Sequence, residues 1–451
     1  MSNGFLPRWT LKTEGTILPD ERLPMGQTLV TGLQHVVAMF GSTVLAPLLM
    51  GFDPNVSILF SGFATLLFFV IVGGRVPSYL GSSFAFIGPV LVATGATVGS
   101  PNPNIPLALG GIIAAGAVYA LIGLIVHVAG HRWVERVMPP VVTGAIVAAI
   151  GLVLAPIAIN SASGVTTDNP NGTTFARWIA LITVLAVAMI AVYGSGIWRR
   201  LPVLLGGAIG YLAYLVLANG FGLGQPIDFS KVASASWFGL PTFQSPVFDL
   251  RAISLIAPVA VILVAENLGH IKAIGAMTGR NLDPYLGRAF MGDGVATMVS
   301  GFGGGTGMTT YAENMGVMAV TRIYSTLIFV VAAGFALLLG LSPKFGAFIS
   351  TIPGPVLGGL SIVVFGLIAA AAGRIWVENR IDFAQPRNLI TVAVALILGA
   401  GNFKLTVAGF TLDGIGTATF GAILLYHLLR DETEAEIGTA DAAMPARPPA
   451  E

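Results

Sequence analysis

The chain has 451 residues, 55% of them hydrophobic and only 10% charged, with 58 glycines and no cysteine. That composition excludes a single water-soluble domain and places the chain in a bilayer, and without cysteine there is no disulfide framework, thiolate metal site or cysteine nucleophile. A net charge of +1 leaves no electrostatic footprint for nucleic acid.

In chain order, residues 1–24 are polar, contain Pro7, Pro19 and Pro24, and carry no visible cleavable signal peptide. Counting about 20 apolar residues per span, we expect fourteen segments near 26–48, 55–74, 80–97, 105–129, 139–158, 176–194, 201–222, 252–275, 285–301, 305–320, 323–342, 353–372, 386–400 and 412–430. With the N-terminus inside, seventeen of the 22 Lys and Arg residues fall in inner segments, among them Arg199, Arg200, Lys272, Arg430 and Arg447, against five outside. Such a bias places both termini in the cytoplasm. Of the two long outer loops, 159–175 and 223–251, the second carries Trp237 and Phe238, which suit an interface. The tail from Asp431 is acidic, rich in Ala and Pro, and expected to be disordered.

Two segments depart from a plain helix. In Gly301–Thr321, Met308-Thr309-Thr310-Tyr311 has strand chemistry and the part from Ala312 onward reads as a short helix. Non-helical backbone at membrane depth is tolerated only where it is buried in protein or lines a cavity. Its counterpart is Ser82-Ser83-Phe84-Ala85-Phe86, which aligns with Thr309-Thr310-Tyr311-Ala312-Glu313 at an offset of 227 residues. Gly62-Phe63-Ala64-Thr65 aligns with Gly294-Val295-Ala296-Thr297 at 232, and Pro140-x-x-x-Gly144 with Pro355-x-x-x-Gly359 at 215. The fold expected is therefore an all-α polytopic membrane protein, two repeats of seven segments with short strands breaking the third and tenth. An odd number per repeat inverts the second copy, and paired broken segments point to a transporter's binding site.

Only Glu266, Asp293 and Glu313 among the 21 acidic residues fall well inside expected spans, with Asp413 at the mouth of the last. A carboxylate at mid-membrane costs roughly 2.5–3.5 kcal/mol even on the lenient insertion scale, so each is a functional candidate. Glu266 and His270 are four residues apart on one helical face and form a candidate proton-exchanging pair; the structural alternative is a hydrogen-bonded tie between helices. Glu313, at the start of the half-helix after the break, is a candidate substrate ligand. Phe84 and Tyr311, at matching positions of the two breaks, could flank a flat ligand. Asp293 in GDGVAT is balanced between proton coupling and a structural hydrogen bond. Gln34 and His35 read as structural, and Lys272 as snorkelling to the inner face. HExxH, Walker A and nucleophile-elbow motifs are missing, so no metal, cofactor or enzymatic chemistry is expected.

The stretches LQHVVAMFGSTVLAP, VPSYLGSSFAFIGPV, VAENLGH and TTYAENMGVMAVTRIYS together resemble the nucleobase cation symporter family 2, the nucleobase–ascorbate transporters, and within it the bacterial uracil and pyrimidine permeases, over about residues 20–430. The resemblance implies a core domain (25–130 and 252–342) and a gate domain (131–222 and 343–430), with 1–24 a cytoplasmic N-tail, 223–251 an outer loop and 431–451 a cytoplasmic tail. It implies a homodimer in the bacterial inner membrane that binds a nucleobase between the two breaks. By motif, Glu266 and Glu313 would bind the pyrimidine ring, backbone N–H groups at Phe84 and Ala312 would meet its carbonyl oxygens, and His270 would couple the proton. Purine members of the family typically carry glutamine where Glu313 stands, and uracil permeases often carry glycine where Ala312 stands. The expected function is proton-coupled import of uracil or a related pyrimidine such as thymine, the proton serving as coupling ion. The alternatives are a xanthine or purine carrier of the same family and, more distantly, a channel or a membrane-embedded enzyme.

Overall fold

A computed structural model describes residues 5–96, 102–165, 169–195, 201–407 and 410–429. The acidic segment 431–451, the ends of the segments expected at 80–97 and 412–430, and Arg199, Arg200, Arg430 and Arg447 lie outside the described residues.

An apolar run can satisfy its backbone at membrane depth by closing hydrogen bonds within itself, so these runs fold as helices. The first half contains α1 (Met25–Met50), α2 (Pro54–Ile71), α3 (Ile87–Thr94), α4 (Ile105–Ala129), α5 (Arg132–Val137), α6 (Pro140–Val153), α7 (Ala155–Ser163), α8 (Thr174–Tyr193) and α9 (Pro202–Leu215). After α10 (Ser230–Ser234) come α11 (Leu250–Ile256), α12 (Val259–Thr278), α13 (Leu286–Phe302), α14 (Ala312–Thr321), α15 (Thr326–Gly340), α16 (Pro343–Ile349), α17 (Gly354–Glu378), α18 (Pro386–Ala400) and α19 (Gly414–Leu428). Their ends follow local chemistry. Asp53, Thr173, Asp249 and Asp413 accept backbone N–H groups at the starts of α2, α8, α11 and α19, and proline occupies the first turn of α4, α6, α9, α17 and α18.

Among the described residues eight helical stretches are long and apolar enough to cross a membrane, nine if α15 and α16, bent by 85°, form one span. The chain is a multi-pass membrane protein. The other expected segments fall on α3, α13, α14, α18 and α19, which have 8 to 17 residues. At 1.5 Å per residue these are too short to cross a core of about 30 Å alone.

Short strands complete the fold: β1 (Thr10–Leu11), β2 (Glu21–Arg22), β3 (Leu80–Ser82), β4 (Met308–Thr310), β5 (Leu405–Val407) and β6 (Phe410–Leu412). β3 and β4 pair antiparallel, Leu80 opposite Thr310, Gly81 opposite Thr309 and Ser82 opposite Met308. The parallel β1–β2 pair and the antiparallel β5–β6 pair were not foreseen from the sequence.

Two threonines hold the central strands from behind. Leu80 N–H donates to Thr65 Oγ1 of α2 at 3.0 Å, and Met308 N–H donates to Thr297 Oγ1 of α13 at 3.0 Å. α2 packs on α15 and α13 on α4, while α6 packs on α17, α18 and α19, and α8 on α9 and α17. The α4–α13 crossing is close because Gly116 and Gly294 face each other: a Cβ on Gly294 would collide with the backbone of Ala120 and Gly116. Residues 5–24 are not a free tail. Ile17 is 1% exposed and exchanges backbone hydrogen bonds with Arg322 and Tyr324, and Thr326 N–H donates to Pro19 O. The segment thus straps the far end of α14 to the body of the fold.

Candidate functional site

The paired strands β3 and β4 each hand over to a short helical piece, β3 to the 3-10 turn Phe84–Phe86 and α3, β4 to α14. No N-cap side chain closes the start of α14, and while the Glu313 N–H meets its own carboxylate, the Ala312 N–H is free to donate to a ligand. Ala312 is exposed, and the space beside Gly316 one turn later is open. Along this face lies a cavity of about 600 Å³, lined by Val37, Ala38 and Gly41 of α1, by Glu313, Gly316, Val317 and Val320 of α14, by Ala191, by Leu201 to Leu204 and by Leu367 of α17.

Glu313 stands at the head of the cavity and accepts a hydrogen bond from Ser42 of α1. Glu266 of α12 is close enough to interact electrostatically with it, and both carboxylates are half-buried. The structure therefore brings together Glu266, Glu313, Ala312 and, one turn from Glu266, His270. The space beside Gly269 between them is open. Phe84 is 9% exposed, and its ring meets Phe365 of α17 edge-on at 5.5 Å.

Two expected site residues sit behind this face. Tyr311 is 3% exposed, and its hydroxyl accepts from Thr43 Oγ1 at 3.0 Å and donates to Ser82 O at 3.0 Å. The symmetry with Phe84 thus fails at the side chain: the phenol fills the space that glycine leaves at Gly81, where a Cβ would strike the ring. Asp293 is fully buried against Asn267, whose Nδ2 donates to Asp293 Oδ2.

The different settings predict a separable effect. Tyr311→Phe strands the Ser82 carbonyl and the Thr43 hydroxyl, each worth about 1–3 kcal/mol when left unpaired. We expect the melting temperature in detergent to fall by several degrees while ligand affinity changes by less than about tenfold. A large affinity loss at unchanged stability would instead put the phenol on the ligand.

Several partners escaped the sequence reading: Ser42, Asn267, Thr310 and Asn314. Asn314 Nδ2 lies 3.0 Å from both His35 Nδ1 and His35 O, tying α14 to α1, which agrees with a structural His35. Ser42 lies seven residues after His35, two turns along the same face of α1, a spacing that could have flagged it. Lys272 does more than reach solvent, since its Nζ pairs with Glu135 at 2.7 Å and Asp283 at 2.8 Å.

Residues 26–408 match the model of the Permease family. Over 430 residues the chain is 62% identical to an Escherichia coli (strain K12) protein bearing the name "Putative pyrimidine permease RutG", spanning 94% of this chain and 95% of that one. It is 42% identical over 416 residues to the uracil permease of Paenibacillus larvae, spanning 90% and 94%. These relatives are named as permeases, not enzymes. The transmembrane domain of the cyanobacterial bicarbonate transporter BicA has the same fold, with a TM-score of 0.64 at 14% identity over 88% of this chain and 97% of that one.

Proposed function

This chain belongs to the Permease family, the nucleobase–ascorbate transporters, and from that premise we propose that it imports uracil, or a related pyrimidine such as thymine, by proton-coupled alternating access. The observation that carries the reading is the pair of carboxylates, Glu266 and Glu313, held together beside the open N-terminus of α14. A uracil ring presents two N–H donors and two carbonyl acceptors. Carboxylates suit the donors, and the free backbone N–H groups near Ala312 and Phe84 suit the carbonyls. Glu266 and His270 take up and release the coupling proton, while Asp293 supports them from behind.

We assign residues 25–130 and 252–342 to a core domain and 131–222 and 343–430 to a gate domain, arranged as two inverted repeats of seven segments. Three features support the repeat. The β3–β4 register swaps equivalent positions, Gly81 opposite Thr309 and Ser82 opposite Met308, as a two-fold axis through the pair requires at an offset of 227. Thr65 and Thr297, 232 residues apart, each accept a backbone N–H of their own central strand, at Leu80 and Met308, positions one residue out of step with the offset of 227. The α2–α15 contact matches α13–α4, each joining a second segment to the other repeat's fourth. The proposed setting is a homodimer in the bacterial inner membrane with both termini cytoplasmic. The cavity then opens inward, since it follows α14 away from Glu313 toward the strap formed by residues 5–24.

One proton moving through about 100 mV yields about 2.3 kcal/mol, enough for roughly fifty-fold accumulation. The test is radiolabelled uracil uptake into proteoliposomes with and without an inward proton gradient, with thymine and xanthine as competitors. Gradient-driven accumulation blocked by thymine supports the proposal. Uptake without accumulation removes the coupling, and xanthine transport without uracil transport makes the chain a purine carrier.

A further inference from the structure

A chain of hydrogen bonds runs from His270 into the core and ends on a backbone carbonyl. Tyr119 O–H lies 3.2 Å from Leu263 O, Asn267 Nδ2 lies 2.9 Å from Tyr119 Oη, Thr310 Oγ1 lies 3.2 Å from Asn267 Oδ1, and His270 Nδ1 lies 2.8 Å from Thr310 Oγ1. Tyr119 also hydrogen-bonds the Asp293 carboxylate; a carbonyl and a carboxylate only accept, so its single proton goes to one of them and Tyr119 accepts from the Asn267 amide nitrogen. That nitrogen's other proton goes to Asp293 Oδ2, which leaves Asn267 Oδ1 to accept from Thr310. Thr310 then has no proton to offer His270 and accepts from it.

We infer that Tyr119, Asn267 and Thr310 are positioning residues that hold His270 in the Nδ1–H tautomer, so that Nε2 meets the site as a bare acceptor. No side-chain partner meets Nε2 among the described residues, the Thr310 backbone is a further hydrogen-bond partner of the ring, and His270 is half-buried beside the open space at Gly269. The network also reaches the Asp293 carboxyl, but an amide does not pass a proton on, so nothing is relayed from Thr310 past Asn267. A coupling proton is therefore loaded and released at Nε2, on the face shared with the ligand. The titratable groups that the surrounding elements bring to this region are Glu266 on α12, Tyr119 on α4, Asp293 on α13, and Tyr311 with Glu313 at the start of α14. The tautomer follows from geometry alone, while its use in coupling rests on the transport reading above.

The test is solid-state nitrogen-15 NMR of histidine-labelled full-length protein in proteoliposomes at about pH 8, where an ordinary histidine is neutral. The chain has five histidines, so a His270→Gln difference spectrum assigns the signals. The wild type should show a protonated Nδ1 and an unprotonated Nε2. Thr310→Val should lose the protonated Nδ1 signal, and Thr310→Ser should restore it, an outcome that a purely structural Thr310 would not produce. A protonated Nε2 in the neutral wild type overturns the assignment, whether or not any variant folds. Should uptake prove independent of the proton gradient while Nδ1 carries the proton, the loading role falls and the tautomer stands.

Discussion

Replacing Glu313 by glutamine is expected to weaken uracil binding by roughly two orders of magnitude, through the loss of a charged hydrogen bond and the addition of a misplaced donor. Glutamine keeps the shape of the side chain, so the effect is electronic. The Ser42 hydroxyl donates to Glu313 Oε1, and in the variant it selects the amide oxygen. The amide NH₂ is then turned toward the ligand, donor against ring N–H. A half-buried carboxylate at membrane depth also costs the fold something to hold, so the variant should be at least as stable as the wild type. Calorimetric or scintillation binding on purified protein, with size-exclusion profiles as the folding control, checks this. An unchanged affinity would remove Glu313 from the ligand, and with it the main ground for preferring a pyrimidine.

Glu266→Gln is expected to separate binding from coupling. The substitution removes a group that can exchange a proton beside His270 and Glu313 while keeping its volume and an acceptor oxygen. Uracil exchange across proteoliposomes should persist, whereas accumulation driven by a proton gradient should fall from the roughly fifty-fold that about 100 mV can sustain to none. Persistent accumulation would move the coupling proton to His270 alone. Loss of exchange as well would make Glu266 primarily a ligand group.

Much of the proposed site is legible in the sequence because its signals are local. Gly303 to Gly305 and Gly307, just before Met308–Thr310, disfavour a continuous helix, and the four-residue step from Glu266 to His270 puts both on one face whatever surrounds them. Glu313 declared itself by being one of three acids in a membrane segment. The role of Tyr311 was not readable. Its ring type matched Phe84, but its direction depends on Gly81 and Thr43, more than 200 residues away. Ser42, Asn267 and Thr310 escaped for the same reason, since a hydroxyl or an amide acquires a role only from the partner it meets.

The sequence by itself determined that this is a mostly helical, multi-pass membrane protein, because run length and backbone satisfaction are properties of neighbouring residues. The tertiary structure alone decided that the two breaks pair as β3 and β4, that Ser42 reaches Glu313, that residues 5–24 strap α14, and that His270 Nδ1 meets Thr310 Oγ1. Those outcomes depend on polar groups far apart in the chain finding the one packing in which their bonds are made, and no local pattern encodes that.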